Sequence, residues 1–168
     1  MGPRVEPGWQ RFLLRPFPTS QTYQNLVKHG EGVLHVTDDV LLLACAALGK
    51  APMPAWIPAT KVRGYVLQNA CRFYEFVVRS IDTSSERVKI AAEVVHLGAL
   101  REFFGFNRAK HAVLEAAILA TRFDLLNLDE VAAEFRKLRV IVEKTGGPAE
   151  AEAFDFLQGE LERALQQR

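Results

Sequence analysis

The stretch RPFPTSQTYQNL groups Arg15, Thr19, Ser20, Gln21, Thr22 and Asn25 around two prolines, at the entry to a segment with helical spacing. A phosphate monoester needs several hydrogen-bond donors and positive charge. A helix N-terminus supplies backbone N–H groups and a favourable dipole. The hydroxyls of Thr19, Ser20 and Thr22 add donors, Arg15 adds a planar two-pronged one, and Asn25, one turn on, reaches the same ligand or a neighbouring ring. The plainer alternative is that Thr19 or Ser20 caps the helix and Arg15 sits in water. Composition alone favours the cap, the commoner use of such residues.

Two further clusters have chemical potential. In HVTDD, Thr37 lies where a strand gives way to a helix, and Asp38 and Asp39 can accept from a heterocycle N–H or a sugar hydroxyl, or simply favour a helix start. In FNRAKHAVLEAAILATR, Arg108, His111, Glu115 and Arg122 share one helical stripe, which suits an ion-paired solvated face or a ligand or partner surface. No third ligand accompanies the aspartate pair, and no Cys/His pair has zinc spacing, so no metal is expected. G-x-S-x-G, H-E-x-x-H and G-x-G-x-x-G are all missing, which argues against a hydrolase elbow, a zincin and a dinucleotide-binding fold.

The elements that must position these residues read as strands first and helices after, an α+β pattern. QRFLLRP suits an edge or terminating strand, and GVLHVT a second strand. DDVLLLACAALGK suits a helix capped by Thr37 and stopped by Gly49. APMPAWIPATKVRG, with three of the eight prolines, reads as an ordered loop with Trp56 as anchor. GYVLQNACRFYEFVVRSID and ERVKIAAEVVHLG read as two long strands joined in a hairpin at Thr83-Ser84-Ser85. Alternation puts Glu75 and Arg79 on one face, and Tyr74, Phe76 and Val78 on the other. Three helices follow: one with apolar residues at 106, 109, 113, 116, 117, 120 and 123, one opened by Asp129-Glu130, and one with Pro148 in its first turn. Leu157, Leu161 and Leu165 form a heptad-like stripe for a helix–helix contact within or between chains.

The 168 residues are enough for a real core, and a net charge of +1 gives no pull toward nucleic acid or an anionic membrane. The longest apolar run, VLLLACAAL, is too short to cross a bilayer, no secretory leader is expected from the first residues, and Cys45 and Cys71 read as buried thiols. A cytoplasmic location is expected.

Together, PRVEPGW, RPFPTSQTYQNL, GEGVLHVTDDVLLLA, ACRFYEF and FGFNRAKHAVLEAAILATR resemble a family of FMN-binding proteins of unknown function, related to the flavin-reductase-like split barrels. The resemblance implies a split β-barrel over residues 1–104, a helical part over 105–168 packed on it as one domain, and a homodimer with FMN near the subunit interface. It places the FMN phosphate at Arg15, Thr19, Ser20, Gln21, Thr22 and Asn25, sets Thr37 and Asp38 beside the flavin or its ribityl chain, and adds Arg108 on the phosphate side or toward the other subunit. The implied function is an FMN-dependent oxidoreductase near tetrahydromethanopterin-linked one-carbon metabolism. A non-catalytic module holding FMN or another phosphorylated ligand is the alternative, and a haem held by His35 or His96 is a third. Relatives carry a strand–turn–strand segment before the GPR motif, so a chain starting at Met1-Gly2-Pro3-Arg4 is expected to lack one barrel wall unless a neighbouring subunit or an upstream start supplies it.

Overall fold

The structure, a computed structural model, describes residues 3–85 and 87–167; the first two residues of the Met1-Gly2-Pro3-Arg4 start lie outside them. The described elements are, in chain order, β1 (Arg4–Val5), β2 (Arg11–Leu14), α1 (Gln21–His29), β3 (Glu31–Val36), α2 (Val40–Ala47), β4 (Trp56–Pro58), β5 (Tyr65–Leu67), β6 (Arg72–Asp82), β7 (Lys89–Ala99), α3 (Arg108–Ala120), α4 (Leu128–Thr145) and α5 (Pro148–Gln166). They fall into two compact units. One holds the described residues up to Thr37 with Ala55–Glu102; the other holds Asp38–Pro54 with the described residues from Phe103 on.

The first unit is built on an antiparallel sheet of order β1-β2-β7-β6-β3, with β4 and β5 as a separate two-stranded ribbon. β6 and β7 are the long hairpin expected around Thr83-Ser84-Ser85, and their pairing slips at two bulges, between Glu75 and Phe76 and between Val78 and Ser80. One face of the sheet carries the core of Phe12, Phe76, Val88, Ile90 and Ala92, closed by Leu26 of α1. Alternation along β2 and β7 puts Phe12 and Leu14 with Ala92 and Ile90 on that face, and Arg11 and Leu13 with Glu93 and Ala91 on the other.

Several local expectations change. β2 is not an edge: the two-residue β1 covers it, and Pro16 and Pro18 end it. The proline-rich loop contains β4, because Trp56–Pro58 pairs with Tyr65–Leu67. Trp56 leans on Tyr65 with ring centroids 4.1 Å apart, yet remains 44% exposed, so it does not anchor the loop in a core. The strand expected from Gly64 to Asp82 breaks into β5 and β6 at a turn over 68–71, where Ala70 N–H donates to Leu67 C=O and Cys71 N–H to Val36 C=O.

The second unit is helical. Small residues on α3 (Ala109, Ala112, Ala116, Ala117 and Ala120) let the backbone approach the large side chains Phe135 of α4 and Phe154, Leu157 and Leu161 of α5. The leucine stripe therefore serves a contact within the chain: Leu157 and Leu161 are buried, and Leu165 packs against the same core. α2 is capped by Asp39, whose carboxylate accepts from Leu42 N–H, and not by Thr37. Gly49 follows its C-cap with φ +67°, the left-handed conformation expected of a stop. Residues 38–54, counted with the β-rich part in the sequence, cluster with the C-terminal helices, because Val40 and Ala44 belong to that core.

Phe154 is fully buried between α3, α4 and α5. Phe154→Ala should lower unfolding stability by about 3–5 kcal/mol, the transfer cost plus the cavity left behind, as read by urea titration.

Candidate functional site

The RPFPTSQTYQNL segment folds as its residues require. Pro16 and Pro18 end β2 and stiffen the turn, Phe17 C=O accepts from Ser20 N–H, and Ser20 becomes the N-cap of α1. Ser20 Oγ accepts from Tyr23 N–H at 3.2 Å and donates to Phe17 C=O at 2.7 Å, so this hydroxyl does serve as a cap. The first-turn amides of Gln21 and Thr22 have no carbonyl four residues back inside the helix and point out of its N-terminus. Gln21 Nε2 donates to Asn25 Oδ1 at 2.9 Å along the exposed side of α1.

Two grooves meet here. The first, of 570 Å³, is lined by Arg4, Leu13, Leu14, Arg15, Pro16, Phe17, Ser20, Thr22, Leu34 and Arg87. Three arginines thus line the groove at the start of α1, and the Arg87 guanidinium carbon lies over the Phe17 ring, 4.4 Å from its centroid. The second groove, of 420 Å³, shares Leu14, Thr22 and Leu34 with the first and continues along Asn25, Leu26, His29, Glu31, Gly32, Val33, Arg63 and Phe76. Gly32 matters there: a Cβ on it would lie 2.8 Å from the Phe76 ring that faces it across β3 and β6. The two form one trough, with cationic and hydroxyl groups at one end and a largely apolar wall beyond.

The far wall is held by buried polar contacts. The Glu75 carboxylate, with no exposed surface, accepts from the amides of Thr60, Lys61 and Val62, fixing the loop between β4 and β5. That loop carries Arg63, whose Nε donates to Glu31 Oε1 at 2.7 Å; the guanidinium holds the Glu31 carboxyl below its ordinary range. His35 Nε2 accepts from Leu67 N–H at 3.0 Å, tying β5 to β3, and burial lowers the imidazole's proton affinity. The Nε2 lone pair is therefore engaged by the β5 amide, which argues against His35 as a haem ligand. His96 packs against Phe73 with ring centroids 5.9 Å apart.

Of the residues singled out in the sequence, Arg15, Ser20 and Thr22 line the first groove and Thr22 and Asn25 the second, whereas Thr19 and Gln21 line neither. Thr37 follows β3 in the first unit, while Asp38 and Arg108 belong to the second. Asp38 is buried, its carboxylate accepting from Phe104 N–H at 3.0 Å and its carbonyl from Lys110 Nζ at 2.8 Å. Lys110 also pairs with the buried Glu150 at 2.8 Å, which lowers that carboxyl's pKa. Arg108 is exposed, and the expected stripe with His111 and Glu115 stops short of Arg122, because α3 ends at Ala120. Sequence reasoning missed Arg4, Arg87 and Arg63 at the trough. Arg4 stood in the PRVEPGW motif, but the other two reach the trough only through strand pairing and a loop.

The family model described as the N-terminal domain of DUF447, a protein of unknown function, matches residues 1–101, and the one described as DUF447, also of unknown function, matches 107–159. Among solved structures, an FMN-bound protein of the DUF447 family from Methanosarcina mazei superposes with a TM-score of 0.78 at 21% identity, over 95% of this chain and 85% of that one. Weaker likenesses include the nitrilotriacetate monooxygenase component B of Mycobacterium thermoresistibile (TM-score 0.47, 13% identity, 56% of this chain and 55% of that one). Another is the styrene monooxygenase flavin reductase of Pseudomonas putida (TM-score 0.42, 15% identity, 53% of this chain and 59% of that one). No curated protein matches the chain.

The depressed affinity of His35 for a proton has a consequence in acid. Between the ordinary histidine pKa of about 6.5 and the lower folded value, the unfolded chain binds the proton and the folded one resists it. This contribution to stability is complete above pH ~6.5 and is lost as pH falls through the folded pKa. Urea titrations across that window should show stability falling with acid, and His35→Gln should flatten the slope.

Proposed function

We propose that this chain, which belongs to the DUF447 family, is an FMN-binding flavoprotein that holds the cofactor non-covalently in the trough at α1 and serves as an oxidoreductase. The observation that carries this reading is that Arg4, Arg15 and Arg87 line one groove with Ser20 and Thr22 at the start of α1, beside a largely apolar wall, on the fold shared with an FMN-bound family member.

The donor set fits a phosphate monoester. Arg15 and Arg87 supply forked guanidinium donors, Thr22 a hydroxyl, and the start of α1 two amides with the positive end of the helix dipole. Ser20 acts one step back, holding the helix start in shape. Leu14, Leu34 and Phe76 form an apolar surface against which a flat ring excludes water, and Asn25 and Arg63 border it with polar groups. When bound, the flavin supplies hydride and electron transfer. The chain's own residues anchor, orient and desolvate, and no side chain in the trough is assigned an acid–base role.

The finer expectations attach to this reading as parts of it: closure of the sheet into a split barrel, a cytoplasmic homodimer with the flavin near its interface, contributions from Thr19, Gln21 and Thr37, and a role near tetrahydromethanopterin-linked metabolism. They are supported by the family resemblance. Among the described residues no helix is long and apolar enough to cross a membrane.

The purified protein, mixed with FMN and desalted, should retain the visible flavin spectrum; a colourless product would overturn the cofactor assignment. Arg15→Ala should weaken FMN binding by about 1.5–3 kcal/mol for each charge-assisted hydrogen bond it removes, measured by quenching of flavin fluorescence. Bound FMN should be reduced by NADH or NADPH faster than free FMN. An unchanged rate with both would leave the chain as a binding module, not a nicotinamide-dependent reductase.

A further inference from the structure

A third groove, of 520 Å³, lies on the face of the sheet opposite the Phe12–Phe76 core and meets the phosphate end of the trough at Arg4 and Leu13, which line both. Its charged walls are Arg4, Arg11 and Arg79 with Glu6 and Glu93, and Ala91, small and level with Leu13, leaves room between them. Arg11 sits directly across from Glu93 on the neighbouring strand. Arg79 is the extra residue of the second bulge, skipped in the register between Val78 and Ser80, and its Nε donates to Glu93 at 2.9 Å. A bulge of this kind re-aims one side chain at the cost of ladder pairing, and here it delivers a guanidinium to the groove.

Among the described residues this groove is lined by one more arginine than glutamate, and its Arg79–Glu93 pair is open to solvent. Among the described residues, the two adjoining grooves together present Arg4, Arg11, Arg15, Arg79 and Arg87 with Glu6 and Glu93, on a chain whose net charge is +1. Like charges gathered this way repel one another unless an anion joins them. A phosphate monoester at Arg15 and Arg87 uses only one end of the array, and at the other Glu6 and Glu93 stand among Arg4, Arg11 and Arg79. Both guanidiniums beside Glu93 lower its carboxyl pKa, Arg79 most.

We propose that Arg4, Arg11 and Arg79 form a second anion subsite, beside the FMN phosphate site and distinct from it, which takes the phosphate or carboxylate group of a small-molecule substrate. Calling that ligand a substrate rests on the flavoprotein reading above; the subsite itself rests on the groove. Arg11 and Arg79 grip the anion from two strands, Glu93 holds Arg79 in place, and Arg4 lies between the two anionic groups.

The test is calorimetry on FMN-loaded protein with two probes, inorganic pyrophosphate and tricarballylate. Wild type should bind at least one of them. Arg79→Gln and the double variant Arg11→Gln/Arg79→Gln should lose about tenfold or more of that affinity, with FMN affinity changed by less than about twofold. The single variant leaves β2 untouched and so guards against misfolding. Binding of pyrophosphate alone names a phosphate-bearing substrate, and binding of tricarballylate alone a carboxylate-bearing one. The subsite is overturned if FMN-loaded wild type binds neither probe, if the variants bind as well as wild type, or if they weaken FMN as much as Arg15→Ala does. Should the protein retain no FMN, the cofactor reading fails separately and the apo protein still decides the subsite. A pyrophosphate site lost in the double variant but kept in Arg15→Ala supports it, and identical binding in both sinks it.

Discussion

The fully buried carboxylate of Glu75 is the group on which the first unit's far wall depends. A polar group out of water is tolerated only when it is hydrogen-bonded. Here three consecutive amides, of Thr60, Lys61 and Val62, converge on the two oxygens. The arrangement satisfies the buried carboxyl oxygens and, equally, three backbone amides of the loop between β4 and β5. From that loop Arg63 reaches Glu31, and the ribbon of β4 and β5 is tied to β3 through His35. One side chain on a central strand thereby sets where the wall beside Gly32 and Phe76 stands.

Glycine opposite phenylalanine recurs in the same sheet. Gly32 faces Phe76 and Gly98 faces Phe73, and a Cβ at either glycine would press into the ring. The aromatic side chain covers a backbone that has no side chain of its own, so the sheet keeps its packing where the chain comes close. At Gly32 this also keeps the floor of the second groove flat.

The helical unit solves its polar problem in a similar way. Lys110 bridges the Asp38 carbonyl and the Glu150 carboxylate, and Glu150 in turn accepts from Gly147 N–H at 2.8 Å, capping α5. Three segments distant in sequence are joined through one ammonium group, at a place where alanines on α3 leave space for large partners. Asp38 and Asp39, adjacent in the sequence, divide between this clamp and the cap of α2.

The sequence by itself determined the α+β character, the long hairpin, the last three helices with the starts of α4 and α5, and a capped helix at Ser20 beside Arg15; Phe106 and Phe123, read on the face of the first of these helices, lie outside α3. These follow from local causes: alternation, helical spacing, proline and glycine placement, and hydroxyl caps. The family resemblance, carried by segments such as RPFPTSQTYQNL and GEGVLHVTDDVLLLA, was likewise legible. Tertiary structure alone decided that residues 38–54 belong with the helices, since an apolar helix does not say which core it joins. It decided that Trp56–Pro58 pairs as a strand, because pairing depends on a partner rather than on propensity. It also decided that Leu157 and Leu161 are interior, that His35 accepts from a β5 amide and that Arg87 and Arg63 border the trough. Register, bulges and burial are properties of several strands at once, and no single segment of the chain carries them.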